Sequence, residues 1–206
     1  TFLTDKSWRL LIFSLNNFNL GHPGGQDPWI MAANDPEYDV AMIGSYVMGN
    51  MYADVNNIDF TDTFKGHSDY YEGDQDSFEL ISNIIDTNSH DVVSLHFSGP
   101  DKVGHTWGIE SEEYKDKLLD IDIKVNEIMH NIDSGWNVII TADHGMTATG
   151  THGSSEEKTR DVTAFVTGPD IITSASQNIV QRDLAALTTL LTNQPFPLQL
   201  HGRIPI

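Results

Sequence analysis

The segment NVIITADHGMTATGTHG, Asn137 to Gly153, constrains this chain more than any other. Val138 to Thr141 is a short apolar, β-branched run of the kind that forms a buried strand. The strand ends in Asp143-His144-Gly145, which puts a carboxylate beside an imidazole at the carboxyl edge of a sheet, where α/β proteins keep their sites. The glycines of the following loop let the backbone fold tightly enough to bring His152 back toward that pair. Asp143, His144 and His152 are hard-to-borderline ligands, and together they suit zinc or manganese better than calcium. The plainer reading is that Asp143 and His144 close a turn or cap a helix and that His152 lies on the surface.

A second segment repeats the design. In VVSLHFSGPDKVGHTWG, Val92 to Gly108, an apolar strand runs into a Gly-Pro turn, then Asp101 and, four residues on, His105. The intervening Lys102-Val103-Gly104 lets both side chains point at one ion. With only a turn aspartate and an exposed histidine to explain, the loop downstream would be a coincidence.

These motifs resemble the two-metal alkaline phosphatase superfamily, which carries an Asp-x-x-Gly-His loop, an Asp-His-Gly loop and a later His in that order. The resemblance is to its type I phosphodiesterase branch, and within it to ethanolamine phosphate transferases of glycosylphosphatidylinositol (GPI) anchor assembly. The matching stretches are DKVGHTWG, ITADHGMTATGTHGSSEE and QRDLAALTTLLTNQPFPLQLHG, within a span from about Val40 to Gly202. The resemblance implies that Asp101, His105 and His152 hold one divalent metal, and that Asp143 and His144 serve a second. The ligand chemistry makes zinc the first expectation for the ion and manganese the second. The resemblance also implies phosphodiesterase or phosphoethanolamine transferase chemistry on a phosphate ester, either a small molecule or a glycolipid.

The amino-terminal part departs from that pattern. Trp8 to Leu15, WRLLIFSL, reads as a buried strand at the place of the family's first strand, which closes with a metal-binding Asp. Here the matching residue is Asn16, a much poorer ligand for a divalent cation. Between Asn17 and Tyr38 there is no Ser or Thr to serve as the family's nucleophile, and the segment is short. No catalytic residue is therefore assigned. His22 and Asp27 could offer replacement ligands or simply decorate a glycine-proline loop. Three readings stand open: an active enzyme, a degenerate member retaining a structural metal half-site and a protein partner, or a chain whose nucleophile comes from a missing amino-terminal piece. The start at Thr1 suggests a trimmed product. WRLLIFSL at the centre of the sheet with Asn16 facing the metal loops would favour degeneracy, and an empty slot there would favour the fragment.

The rest of the chain supplies scaffold. Tyr38 to Ser45 reads as a strand, with Met48 more at home in a core than in a cleft. Asn56 to Gly73 reads as an irregular surface loop with His67 in solvent. Asp74 to Asp86 is an amphipathic helix with acids at its start. His96 reads as a core histidine rather than a ligand. Ser111 to Asn131 is a long helix with Leu118, Ile121, Val125, Ile128 and Met129 inward, acids and lysines outward, and Asp120 and Asp122 in solvent or behind the ligands. DVTAFVTGP is a further strand, and Ser176 to Thr192 a last helix with Ile179, Leu184, Leu187 and Leu191 inward. His201 in the Pro-punctuated tail has no evident partner.

Strands alternate with helices, which predicts an α/β fold with a mostly parallel sheet and helices on both faces. The resemblance implies that 1–206 is one alkaline phosphatase-like domain, lacking the nucleophile segment. The 206 residues suffice for one sizeable core. The charge of −19, from 30 acidic and 11 basic residues, repels nucleic acid and anionic membranes. A phosphate-bearing substrate would have to be drawn in by the positive charge of the metals. No run reaches membrane-span length and no signal peptide is visible. With no cysteine the redox compartment is unreadable, and the absence of an Asn-x-Ser/Thr site speaks mildly against a glycosylated lumenal protein.

Overall fold

The computed structural model describes residues 9–14, 28–52, 54–171, 176–196 and 202–204. In chain order its elements are β1 (Arg9–Ser14), α1 (Pro28–Ala33), β2 (Val40–Gly44), α2 (Tyr46–Met51), β3 (Ile58–Asp62) and α3 (Glu72–Thr87). They continue with β4 (Val92–His96), α4 (Gly99–Trp107), α5 (Glu112–Asn131), β5 (Trp136–Thr141), β6 (Ala164–Thr167) and α6 (Gln181–Leu191).

The strands form one sheet in the order β3-β2-β4-β1-β5-β6. All neighbours run parallel except β5 and β6, which are antiparallel. Both faces are covered, which is why β2 and β4 are apolar or buried at every position instead of alternating. On one face Val93, Leu95 and Val138 pack with Ile81 and Ile84 of α3 and Ile121 and Ile128 of α5. On the other, Val92 and Ile139 pack with Ala32 and Ala33 of α1 and Leu187 and Leu191 of α6. The successive residues Val138 and Ile139 thus serve opposite cores, as the period of two requires. This is the α/β, alkaline phosphatase-like architecture expected from the alternation of strands and helices.

Strand β1 occupies the centre, between β4 and β5. Ser14 pairs in register with His96 on one side and Thr141 on the other, so the three strands end at one edge. Arg9–Ser14, the described part of WRLLIFSL, therefore fills the central slot. Asn16, His22, Asp27 and His201 lie outside the described residues.

Four expectations need correction. Asn56 to Gly73 is not wholly irregular: it contains β3, an edge strand whose outer residues Asp59, Thr61 and Asp62 are exposed, leaving only Ile58 and Phe60 as apolar signal. Asp101 and His105 sit on a helix, α4, rather than in a loop. Leu118 is 42% exposed, one position off the buried stripe of α5. Lys117 is fully buried, where an outward lysine was expected. As expected, Met48 and His96 are buried and His67 is exposed. Asp120 faces neither bulk solvent alone nor the ligands; it pairs with Lys117 and Lys124. Among the described residues no helix is long and apolar enough to cross a membrane.

Candidate metal centre

The centre is assembled from two strand ends. After β4 the chain passes Phe97 and Ser98 directly into α4, with a proline in the first helical turn where its missing N–H costs nothing. Asp101 falls in that first turn and His105 four residues later, so both project from one face of the helix. Asp101 Oδ1 lies 3.4 Å from His105 Nε2.

After β5 the chain enters the loop that carries Asp143, His144 and His152. Threonine hydroxyls knot this loop. Thr147 Oγ1 accepts the Thr151 N–H at 3.0 Å and bonds the Thr151 hydroxyl at 2.8 Å, while Gly150 N–H donates to the Thr147 carbonyl at 2.9 Å. Gly150 has φ +76° and rests on the Gly104 carbonyl of α4, which a Cβ there would strike. Only glycine allows both the left-handed backbone and that approach. The knot thus docks on α4 and delivers His152 to the helix face bearing Asp101 and His105.

His152 Nε2 lies 3.0 Å from His105 Nε2 and 3.5 Å from Asp101 Oδ1. Ligand atoms of the three residues all fall within 4.8 Å of one another. The sides of the triangle, 3.0, 3.4 and 3.5 Å, bracket the edge of about 3.3 Å expected for a tetrahedron with metal–ligand bonds of about 2.0–2.1 Å. Asp101 Oδ1 is buried and accepts no hydrogen bond among the described residues. A carboxylate oxygen left without a donor is costly unless a cation takes that place. The donor set, the spacing and the orphaned oxygen together fit a divalent ion.

Asp143 and His144 flank this trio. The His144 ring stacks on that of His152 with centroids 3.9 Å apart. Its Nδ1 sits 3.0 Å from the Gly145 carbonyl; donation from Nδ1 would leave the Nε2 lone pair as the one a metal could use. Asp143 Oδ2 is buried, accepts no hydrogen bond among the described residues, and lies 3.7 Å from His144 Nε2. Burial pushes the Asp143 carboxyl up to about 7, with Asp101 adding to the effect and His144 opposing it. Burial and the neighbouring His144 lower the His152 imidazole, and Asp101 partly offsets them. Among the described residues no third carboxylate or imidazole completes a trio around Asp143 and His144.

A mostly parallel α/β sheet whose carboxyl edge gathers aspartates and histidines from two strand ends is the architecture of alkaline phosphatase-like proteins. A family model for type I phosphodiesterase / nucleotide pyrophosphatase matches residues 19–181, and the chain belongs to that family. The match reaches further toward the amino terminus than the motif resemblance, which is legible only from about Val40. Human GPI ethanolamine phosphate transferase 1 is 31% identical over 171 residues, covering 69% of this chain and 18% of that protein. The catalytic subunit of mouse GPI ethanolamine phosphate transferase 3 is 24% identical over 207 residues, covering 98% of this chain and 19% of that protein. The chain thus spans about a fifth of the length of these relatives. Among solved structures, a 2-O GAG sulfatase superposes with TM-score 0.64 at 11% identity, covering 95% of this chain and 72% of that one. A phosphoglycerate mutase from Leishmania mexicana gives 0.57 at 15% identity, covering 80% and 37%. These structural likenesses extend to the fold alone.

Sequence reasoning missed the support beneath α4. Asp74 and Lys117 form a buried ion pair there, 43 residues apart along the chain, and no local pattern links them.

Proposed function

We propose that this chain binds a divalent metal ion through Asp101, His105 and His152 and acts on a phosphate ester as a phosphodiesterase or phosphoethanolamine transferase. The observation that carries this reading is the trio itself, three ligand atoms 3.0–3.5 Å apart around a buried carboxylate oxygen that accepts no hydrogen bond. Family membership supports a phosphate ester as the substrate class. A bound ion would supply the positive charge that draws a phosphate to a chain of net charge −19 and polarises its oxygens.

The chain's own groups divide the remaining tasks. Asp101 contributes the negative charge that holds the ion, and its burial keeps water from competing. His105 and His152 approach from separate elements, so an ion there ties the loop after β5 to α4. Asp143 and His144 stand beside the trio and are the residues for a second ion. Zinc is the first candidate for the metal and manganese the second. The substrate is a small phosphate ester or a glycolipid headgroup; the GPI ethanolamine phosphate transferases, by their name, act in the latter setting.

A second reading rests on Asn16 and on the absence of Ser and Thr from 17–38, the stretch where the resemblance places the second metal's Asp and the nucleophile. In that reading the trio is a structural half-site, and the protein serves as an interaction subunit. Turnover of bis-p-nitrophenyl phosphate with zinc or manganese saturating separates the two. Hydrolysis abolished by His105→Ala supports catalysis. Metal binding without turnover of any phosphate mono- or diester supports the half-site.

A further inference from the structure

Beneath the metal-bearing helix lies a pair of buried charges that the proposed chemistry does not use. Asp74, in the first turn of α3, is 3% exposed, and Lys117, in the second turn of α5, is fully buried. Their Oδ2 and Nζ are 2.8 Å apart. Lys117 Nζ also lies 2.8 Å from Asp120 Oδ2 and 4.4 Å from the centre of the Tyr71 ring. Burying such a pair contributes little to stability in general, because desolvation offsets most of the attraction. Its placement points to a different role.

The Asp74 carboxylate accepts the Ser98 N–H at 2.9 Å and the Gly99 N–H at 3.0 Å on its two oxygens. These are amides at the start of α4. Ser98 stands at the cap position of that helix but makes no side-chain capping bond of its own. The acceptor comes instead from α3, 24 residues earlier in the chain. A carboxylate there satisfies amides that the helix cannot and complements the positive end of its dipole. Lys117 Nζ holds that carboxylate in place through its Oδ2. Gly99 closes the arrangement: a Cβ there would strike Asp74 Oδ2, Lys117 Cε and the Tyr70 carbonyl. Asp101 follows Gly99 by two residues and His105 by six.

We infer that Asp74, seated by Lys117, is a positioning residue: by gripping the first amides of α4 it sets the rotation at which Asp101 and His105 face His152. The inference rests on the metal reading given above. It differs from a purely structural ion pair in what it requires, namely a hydrogen-bond acceptor at Asp74 rather than a charge pair.

Two double variants separate the alternatives. Asp74→Asn with Lys117→Met removes both charges and keeps an oxygen for the two amides. Asp74→Leu with Lys117→Met removes the charges and the acceptor while filling the space with apolar atoms. With zinc as the probe, the Asn/Met protein should bind within about threefold of wild type. The Leu/Met protein should bind about 10–100-fold more weakly, the usual range for loss of a group that orients ligands. That gap should hold at comparable melting temperatures in chelator. Equal affinities for the two variants, or affinities that simply follow melting temperature, would overturn the inference.

Amide hydrogen exchange on the metal-free proteins decides the matter independently of any metal. Exchange across 98–107 should accelerate in Leu/Met relative to Asn/Met, with β4 and the rest of α5 unchanged. Equal protection there would overturn the inference. If wild type takes up no zinc, the metal reading fails, and this exchange result still decides whether Asp74 orders α4.

Discussion

His152 Nε2 lies 3.0 Å from His105 Nε2 across 47 residues of chain. Two imidazoles and the Asp101 carboxylate converge there because a knotted loop after β5 rests on the backbone of α4. Binding of an ion therefore depends on how these two elements meet as much as on the ligands themselves.

Asp101 should be a residue whose removal costs function and not stability. Its Oδ1 is buried without a hydrogen-bond donor among the described residues. Asp101→Asn should abolish metal binding yet leave the metal-free protein as stable as wild type or more so by about 1 kcal/mol. Urea unfolding in chelator measures this. Marked destabilisation of the metal-free variant would mean that the carboxylate has another partner.

The contact between loop and helix should be intolerant of a single methyl group. Gly150→Ala forces a side chain into a left-handed backbone at φ +76° and against the Gly104 carbonyl. A cost of about 1–3 kcal/mol is expected, with loss of zinc affinity because His152 moves with the loop. Wild-type affinity in this variant would show that the trio does not depend on the docking of Gly150.

Lys117 should be far more important than an ordinary helix lysine. Lys117→Ala leaves Asp74 buried without its cation and should cost about 3–5 kcal/mol. Lys115→Ala, at an exposed pair on the same helix, should leave stability nearly unchanged. Denaturant midpoints for the two variants make the comparison. Similar small losses for both would contradict the buried pair.

Most strands, and the three residues that cluster as Asp101, His105 and His152, were legible in the sequence because each has a local signature. Val138 to Ile140 and the pair Val92-Val93 are apolar at consecutive positions, as strands buried on both faces allow, and Asp-His-Gly marks where one of them ends. What was not legible depends on distant packing. Edge strand β3 carries only two inward apolar residues, too few for a pattern. Asp101 and His105 are helical, yet two glycines and a proline across 99–104 disguise the helix. Lys117 looks like any solvated lysine until α3 is folded against α5. Asp74 reads as a favourable charge at the start of its own helix, whereas its carboxylate caps another.

Metal-free stability should carry a trace of Asp143. Its carboxyl is raised from 3.8 to about 7, mainly by burial. A raised carboxyl stabilises the folded state while protonated, so its contribution is whole below pH 3.8 and is lost as pH climbs toward about 7. Asp143→Asn, neutral throughout, should flatten the dependence of melting temperature on pH across that window in chelator. Identical slopes for the variant and wild type would contradict the assignment. With metal present the opposite sign applies. Protons compete with the metal for the His152 nitrogen, so zinc affinity should fall as pH drops, and the lowered His152 imidazole defers that loss to more acid conditions.

The most direct measurement is the metal content per chain of protein purified without chelator, alongside Asp101→Ala and His152→Ala. At least one divalent ion per wild-type chain, lost in both variants, is the predicted result, and a second ion lost on replacing Asp143 would extend it to the flanking pair. Wild-type protein that carries no ion and takes up none on dialysis against zinc or manganese would contradict the account.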